Sequence, residues 1–114
     1  MDKAGHQVTV IDRNSESFTR LGSEFNGQMV LGTGIDEDVL KKAGIERADA
    51  FVAVTNGDNT NAMAAQIAQH VFRVQHVVAR MYDPVREETY HLLGLDIVCS
   101  TVMGADKIRE MVGA

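Results

Sequence analysis

Residues 5–14 read Gly5-His6-Gln7-Val8-Thr9-Val10-Ile11-Asp12-Arg13-Asn14, an apolar run that ends at an acidic residue. In a doubly wound α/β fold this pattern is typical of the second strand of a dinucleotide-binding unit, whose terminal carboxylate accepts hydrogen bonds from adenosine ribose hydroxyls. The first strand and its glycine-rich phosphate turn belong about 20 residues before such an acid. Only eleven residues precede Asp12. We therefore expect a nucleotide-binding domain that is incomplete at its N-terminus.

Composition narrows the class of protein. The chain has 114 residues, of which 45% are hydrophobic and 24% charged, so we expect a single globular domain over residues 1–114. A net charge of −5 without a basic cluster, and 5% aromatic residues without tryptophan, argue against nucleic-acid binding. No apolar run approaches the roughly 18 residues that span a bilayer, and residues 1–6 do not resemble a signal peptide. We expect a cytoplasmic protein without membrane insertion.

Predicted strands alternate with helices along the whole chain. We predict strands at 8–11, 28–31, 50–55, 76–81 and 97–99, separated by helices of about ten residues. The continuous apolar run 50–55 predicts a strand covered on both faces, and most of the six methionines recur at helical core spacing. Residues before Gly5 are expected to be the tail of a helix. The pattern predicts a Rossmann-like, doubly wound and mostly parallel sheet.

Helix caps follow the strands. Asn14 or Ser15 is expected to cap a short helix, Asp36 the next one, and Asp58 or Asn59 a long helix to about Val71. Pro84 suits the first turn of a further helix. The final helix has Ile108, Met111 and Val112 as its apolar positions.

Polar residues gather where the predicted strands end, which is where ligands bind in open parallel sheets. Asp12 is the strongest candidate, for the ribose of an adenosine. Arg13 beside it could accommodate the 2′-phosphate that Asp12 would repel. The alternative for Asp12 is a solvated strand-end or capping residue.

Two further turns are candidates. Gly32-Thr33-Gly34 either makes a tight turn or lets backbone approach an adenine or ribose. Thr55 and Asn56 leave a strand just before a helix and could bring polar groups to a ligand, or simply form a capped loop.

Arg80 ends an apolar strand, where a charge needs a partner. That partner could be Asp83, another subunit or a phosphate.

Other reactive side chains give no catalytic or metal pattern. The four histidines share no metal-ligand spacing, and Ser100 and Thr101 lack a nucleophile elbow. Cys99, the one cysteine, is expected to be a reduced, buried thiol.

The chain resembles the NAD-binding N-terminal domain of the Trk potassium-uptake regulators, also called RCK or KTN domains. The resemblance rests on segments in the same order and spacing along nearly the whole chain. These are Gly5 to Arg13, Gly32-Thr33-Gly34-Ile35-Asp36-Glu37-Asp38-Val39-Leu40, Ala43-Gly44-Ile45, Ala48 to Asn61, Val77-Val78-Ala79-Arg80, Asp83-Pro84 and Leu93-Gly94-Leu95-Asp96.

The resemblance implies a regulatory subunit that binds NAD(H), or ATP/ADP in some relatives, and catalyses nothing. Such subunits form homodimers and rings beneath a membrane potassium channel or transporter, and ligand exchange gates ion flux. By position, Asp12 matches the ribose-binding acid and Gly32, Thr33 and Gly34 the adenine-side loop. Thr55 and Asn56 match the loop beside the nucleotide, and Arg80 an arginine near the phosphates or the subunit interface.

The glycine-rich loop and first strand of that family have no counterpart in this chain. Because that strand is central in the usual order, we expect two part-sheets with unpaired edges and weak pyrophosphate binding.

Two other functions remain open. One is a fragment of an NAD(P)-dependent oxidoreductase or epimerase. Tyr82 and Tyr90 argue against it, because Arg86 and Gly94 stand where a Tyr-x-x-x-Lys pair needs lysine. The other is a domain that has lost its ligand and serves only in assembly.

Overall fold

The computed structural model describes residues 5–22 and 25–113, and within them parallel strands alternate with helices. The strands are β1 (Thr9–Asp12), β2 (Gln28–Leu31), β3 (Ala50–Ala53), β4 (His76–Met81) and β5 (Asp96–Cys99). The α-helices are α1 (Glu37–Lys42), α2 (Asp58–Gln66), α3 (Pro84–Leu92) and α4 (Ser100–Val112). Short 3₁₀ segments cover Ser15–Leu21 and Ile45–Arg47, and a π-helical turn, Ile67–Val71, extends α2. The predicted Rossmann-like α/β class is confirmed. The helix expected before Gly5 lies outside the described residues.

The chain divides into two compact units, Met1–Arg47 and Ala48–Ala114. In the first unit, β1 and β2 pair in parallel, from Thr9↔Gln28 to Asp12↔Leu31. Two predicted caps are confirmed. The Asn14 side chain accepts a hydrogen bond from the Glu16 N–H at 2.9 Å, and the Asp36 side chain accepts one from the Asp38 N–H at 2.9 Å.

Helix α1 lies close to the end of β2 because Gly32 has no side chain. A Cβ at Gly32 would stand 2.7 Å from Cγ2 and 2.9 Å from Cγ1 of Val39, inside van der Waals contact. The adjacent Leu40 is 1% exposed and anchors α1 in the core of this unit. Gly32 therefore has a packing role whether or not a ligand approaches it.

In the second unit the sheet order is β3-β4-β5, with both pairs parallel. Helix α2 and its π-helical extension pack on this sheet through small side chains that are nearly inaccessible to solvent, namely Ala62, Ala64, Ala65 and Ala68. Ala79 and Met81 of β4 are completely buried. Cys99 at the end of β5 is a buried free thiol, as predicted.

The expected division into two part-sheets is observed. Within the described ranges, β1 and β3 each have one edge without a partner strand. The predicted covering of both faces of β3 is wrong, because Val52 and Val54 are each about half exposed, at 50% and 52%.

The expectation that most methionines belong to the core is also wrong. Of those described, Met81 is buried, whereas Met29, Met63, Met103 and Met111 are at least half exposed. In α2 the reason is that alanines take the inner face of the helix. In α4 no residue is buried, so Ile108, Met111 and Val112 form an exposed apolar face.

No helix of the described ranges is both long enough and apolar enough to cross a bilayer.

Candidate functional site

A buried asparagine, Asn61 of α2, bridges the backbone at the carboxyl ends of β3 and β4. Pairing of the two strands stops at Ala53↔Ala79, and the Asn61 side chain of α2 takes over the next polar backbone groups. Its Oδ1 accepts from the Thr55 N–H at 2.9 Å and the Thr55 hydroxyl at 2.6 Å. Its Nδ2 donates to the carbonyls of Thr55 at 3.0 Å and Arg80 at 2.8 Å. All four hydrogen-bonding positions of the amide are used, and the residue is 0% exposed.

Asp58 performs a similar task one turn earlier in α2. Its carboxylate accepts from the backbone N–H groups of Tyr82 at 2.8 Å and Asp83 at 3.0 Å, just after β4. Arg86 lies 3.9 Å from the same carboxylate. The expectation that Asp58 or Asn59 caps α2 is wrong. Gly57 is the N-cap, and it has no side chain to cap the helix.

Arg80 follows the completely buried Ala79, and its guanidinium donates hydrogen bonds to backbone carbonyls. Nη2 donates to the carbonyls of Val54 and, at 3.2 Å, Thr55. The guanidinium carbon lies 4.9 Å from the centre of the Tyr82 ring, a cation–π distance. Nε is buried without a hydrogen-bond partner.

The possible Arg80–Asp83 ion pair is not formed. Asp83 instead caps α3 through the Val85 N–H at 3.0 Å and lies 3.8 Å from Arg86. Within residues 5–22 and 25–113, no carboxylate reaches ion-pair distance of Arg80. Among the described residues, the cation is therefore held by two carbonyl groups and an aromatic ring.

The side chains of Thr55 and Asn56 differ in how many of their polar atoms are available to a ligand. The Thr55 hydroxyl uses its hydrogen on Asn61 and also accepts from the Gly57 N–H at 3.2 Å, so it has no donor left for a ligand. Asn56 is exposed, and its amide makes no hydrogen bond to the described part of the chain. Thr55 thus shapes the loop, and Asn56 is the residue with free polar atoms.

In the first unit, Asp12 and the turn at Gly32-Thr33-Gly34 are neighbours. The Asp12 carbonyl accepts from the Gly32 N–H at 2.9 Å, and one carboxylate oxygen accepts from the Asn14 N–H at 2.8 Å. The other carboxylate oxygen has no hydrogen bond to any described residue. Arg13 is exposed beside it. This end of β1 and β2 therefore presents one available carboxylate oxygen next to a glycine turn.

The predicted site residues thus form two groups, one in each unit. Asp12, Arg13, Gly32, Thr33 and Gly34 belong to the first unit. Thr55, Asn56 and Arg80 belong to the second. Each group lies at the carboxyl ends of its own strands, which is where an open parallel sheet binds ligands.

Sequence reasoning missed the two residues that organise the second group. Asn61 sits among alanines on the buried face of α2, and Asp58 begins the same helix. A polar residue within an otherwise small and apolar helix face is a signal for a buried hydrogen-bonding role. That signal was present in the sequence at Asn61.

The same strand–helix arrangement is found in known proteins. Residues 1–101 match the family model described as the TrkA-N domain. This chain belongs to the TrkA-N family. Its match to Trk system potassium uptake protein TrkA of Streptomyces coelicolor is 49% identical and covers 95% of this chain but 48% of the relative. A second relative, the Trk system potassium uptake protein TrkA homolog of Methanothermobacter thermautotrophicus, is 30% identical over 84% of this chain and 44% of its own. The TrkA-N domain described above thus spans about half the length of these curated relatives.

Solved structures share the fold of this TrkA-N domain. The TrkA-N domain of inner membrane protein ybaL from Escherichia coli superposes with a TM-score of 0.82 at 16% identity, covering 96% of this chain and 81% of that one. The GsuK channel bound to NAD gives a TM-score of 0.68 at 22% identity and covers 84% of this chain and 17% of that one. At these identities the likeness establishes the fold alone.

Proposed function

We propose that this chain is the nucleotide-sensing part of a cytoplasmic regulator of potassium uptake. The observation that carries the proposal is the 49% identity, over 95% of the chain, to a protein named for Trk potassium uptake. The strand-end groups described above support a ligand-binding role. Within the part of the chain that the structure describes, one carboxylate oxygen of Asp12 has no hydrogen bond and the Arg80 cation has no carboxylate partner.

The ligand that we propose is NAD(H), with ATP or ADP as alternatives. Matched channel structures are described as bound to NAD and to ADP, and both ligands contain an adenosine diphosphate group. A ribose diol needs a carboxylate acceptor, and a phosphate needs a cation. Asp12 in the first unit offers a carboxylate acceptor, and Arg80 in the second unit offers a cation.

Each predicted residue has a role in this proposal. Asp12 accepts from the ribose hydroxyls, with Arg13 beside it, and the Gly32-Thr33-Gly34 turn borders the adenine side. Asn56 offers its free amide to the ligand, while Thr55 holds the loop that carries it. Arg80 contacts a phosphate.

The proposed action is regulation rather than catalysis. A nucleotide that binds two conformations with different affinities shifts their populations, and a membrane transporter bound to the regulator would respond to that shift. We propose that copies of the chain associate as homodimers or a ring at the inner face of the membrane, beneath a potassium transporter or channel. The exposed apolar face of α4 supports association.

Nucleotide titration of the purified chain tests the ligand. We expect NADH and ADP to bind, and Asp12→Ala to weaken NADH binding about tenfold, the effect of losing roughly 1.4 kcal/mol of hydrogen bonding. Asp49→Ala is the matched control, because Asp49 is exposed and its side chain makes no hydrogen bond to described residues. Isothermal titration calorimetry measures both constants, and absorbance at the NADH band follows whether the coenzyme is consumed.

Equal affinity of Asp12→Ala and Asp49→Ala for NADH would overturn the ribose assignment. Consumption of NADH would favour an oxidoreductase. The potassium role is tested in the native host, where the Asp12→Ala allele should impair growth at low potassium and the Asp49→Ala allele should not.

A further inference from the structure

Asn61 determines where the Arg80 guanidinium can sit. The β3–β4 ladder stops at Ala53↔Ala79, whereas Arg80 still pairs with Val98 of β5. Beyond the ladder, the amide of Asn61 bonds the backbone of Thr55 on one side and the Arg80 carbonyl on the other. It therefore replaces the next rung between the strands and sets the gap between them.

The same gap holds the acceptors of the guanidinium. The Thr55 carbonyl accepts both from Asn61 Nδ2, at 3.0 Å, and from Arg80 Nη2, at 3.2 Å. Asn61 thus fixes the backbone of Arg80 and also one of the two carbonyls onto which its side chain folds. Loss of the amide would release both attachments together.

We propose that Asn61 is a positioning residue for anion binding, which holds Arg80 in the orientation that selects phosphate-bearing nucleotides. The inference rests on the proposed function, and it adds a residue that does not itself touch ligand, because Asn61 is 0% exposed. Asn61 acts within the second unit, where it holds both Thr55 and Arg80. Adenosine lacks the phosphates that Arg80 would contact, so we expect its affinity to depend less on Asn61 than the affinity of ADP does.

The experiment compares the affinities of ADP and adenosine for the purified chain by calorimetric titration. A single charge-assisted contact from Arg80 should make ADP bind at least about tenfold more tightly than adenosine. Arg80→Leu sets the ratio expected when that contact is lost. Asn61→Ala should lower the ratio of the two affinities to that of Arg80→Leu, with adenosine affinity changed less than about twofold.

Asn59 supplies a matched control on the same helix. It is exposed and its side chain makes no hydrogen bond to the described residues, so Asn59→Ala should keep the wild-type ratio. A second pair, Asn61→Ser and Asn59→Ser, leaves the charge unchanged at each position. Serine keeps a hydroxyl but ends one atom short of the amide, so Asn61→Ser loses the bridge between Thr55 and the Arg80 carbonyl and decides the question if Asn61→Ala does not fold.

The outcomes separate the two proposals. If the wild-type chain binds neither ADP nor adenosine, the proposed function fails. If it prefers ADP and the folded Asn61 variants keep the same preference as their Asn59 counterparts, positioning by Asn61 is wrong and the proposed function stands. Loss of the ADP preference in the Asn61 variants alone supports the inference.

Discussion

At the scale of single residues, two polar side chains of α2 hydrogen-bond the backbone at positions where strand pairing in the second unit has ended. Asn61 and Asp58 are both buried, and between them they bind backbone groups just beyond the paired ends of β3 and at the end of β4. A buried polar group stabilises a fold only when its partners are present, and it becomes costly as soon as one partner is lost. Both positions are therefore sensitive to small chemical changes.

Asp58→Asn should destabilise the chain. The new amide NH₂ faces the N–H of Tyr82 or Asp83, so one buried donor loses its acceptor, which costs about 1–3 kcal/mol. Urea unfolding followed by far-ultraviolet circular dichroism measures the loss. Asp49→Asn, at an exposed position of the same unit, should change the unfolding free energy by less than about 0.5 kcal/mol. Equal losses in the two variants would contradict a specific role for the Asp58 carboxylate.

At the scale of secondary-structure elements, helices lie close to strands where side chains are smallest. Gly32 admits Val39 at the end of β2, and a row of alanines brings α2 onto β3 and β4. Close packing of this kind tolerates removal of a methyl group better than insertion of one where there is no room.

Gly32→Ala should lower the free energy of unfolding by about 1–3 kcal/mol, because the added methyl group overlaps the Val39 side chain and because the φ of Gly32, 156°, is one that residues with a side chain rarely adopt. Introducing the same change into the Val39→Ala variant should cost less, because the two valine methyl groups that the new Cβ would overlap are gone. A double-mutant cycle from urea unfolding measures this coupling.

Gly104→Ala provides the control for that cycle. A Cβ there meets nothing within 4 Å, and the residue lies inside α4. Helical content should rise, since alanine is favoured over glycine by roughly 0.5–1 kcal/mol in a helix. An equal loss of stability at both glycines would show that contact with Val39 is not the cause at Gly32.

The elements themselves could be predicted from the sequence, because each strand contains an apolar run and α1 and α3 begin at recognisable start signals. Asp36 and Pro84 mark helix starts that the structure confirms. It was harder to predict which face of a strand is covered, because an apolar run such as the one through Val52 has the same sequence pattern whether or not a helix lies over it. For the site, the polar residues that end the predicted strands indicated Asp12 and Arg80. Asn61 is buried within a helix, so a search for polar residues at strand ends could not find it.

At the scale of the whole molecule, apolar residues remain exposed on α3 and α4. Leu92 and Leu93 at the end of α3 are 80% and 63% exposed, and Ile108 and Met111 of α4 are 65% and 75% exposed. Large apolar side chains this exposed on one helix, as on α4, are typical of surfaces that bind another protein. The proposed dimer or ring would cover these residues.

Ile108→Gln should weaken self-association, because it replaces an exposed aliphatic side chain with a polar one of similar length. Analytical ultracentrifugation over a range of concentrations should give an association constant reduced about tenfold, corresponding to roughly 1.4 kcal/mol of lost apolar burial. Glu110→Gln, two residues along the same helix and on another face, should leave association unchanged or slightly stronger. A wild-type chain that sediments as a monomer at every concentration would refute association through α4.

The bonds made by α2 also bear on how the second unit fluctuates. Three backbone amide hydrogens, those of Thr55, Tyr82 and Asp83, are bound by the side chains of Asn61 and Asp58, at positions where paired strands ordinarily fray. These hydrogens can exchange with solvent deuterium only when α2 moves away from the sheet, so they report opening of the helix rather than of the loop in which they lie. We therefore expect slow exchange to extend past the last rung of the β3–β4 ladder to Thr55 and to end before Asn56.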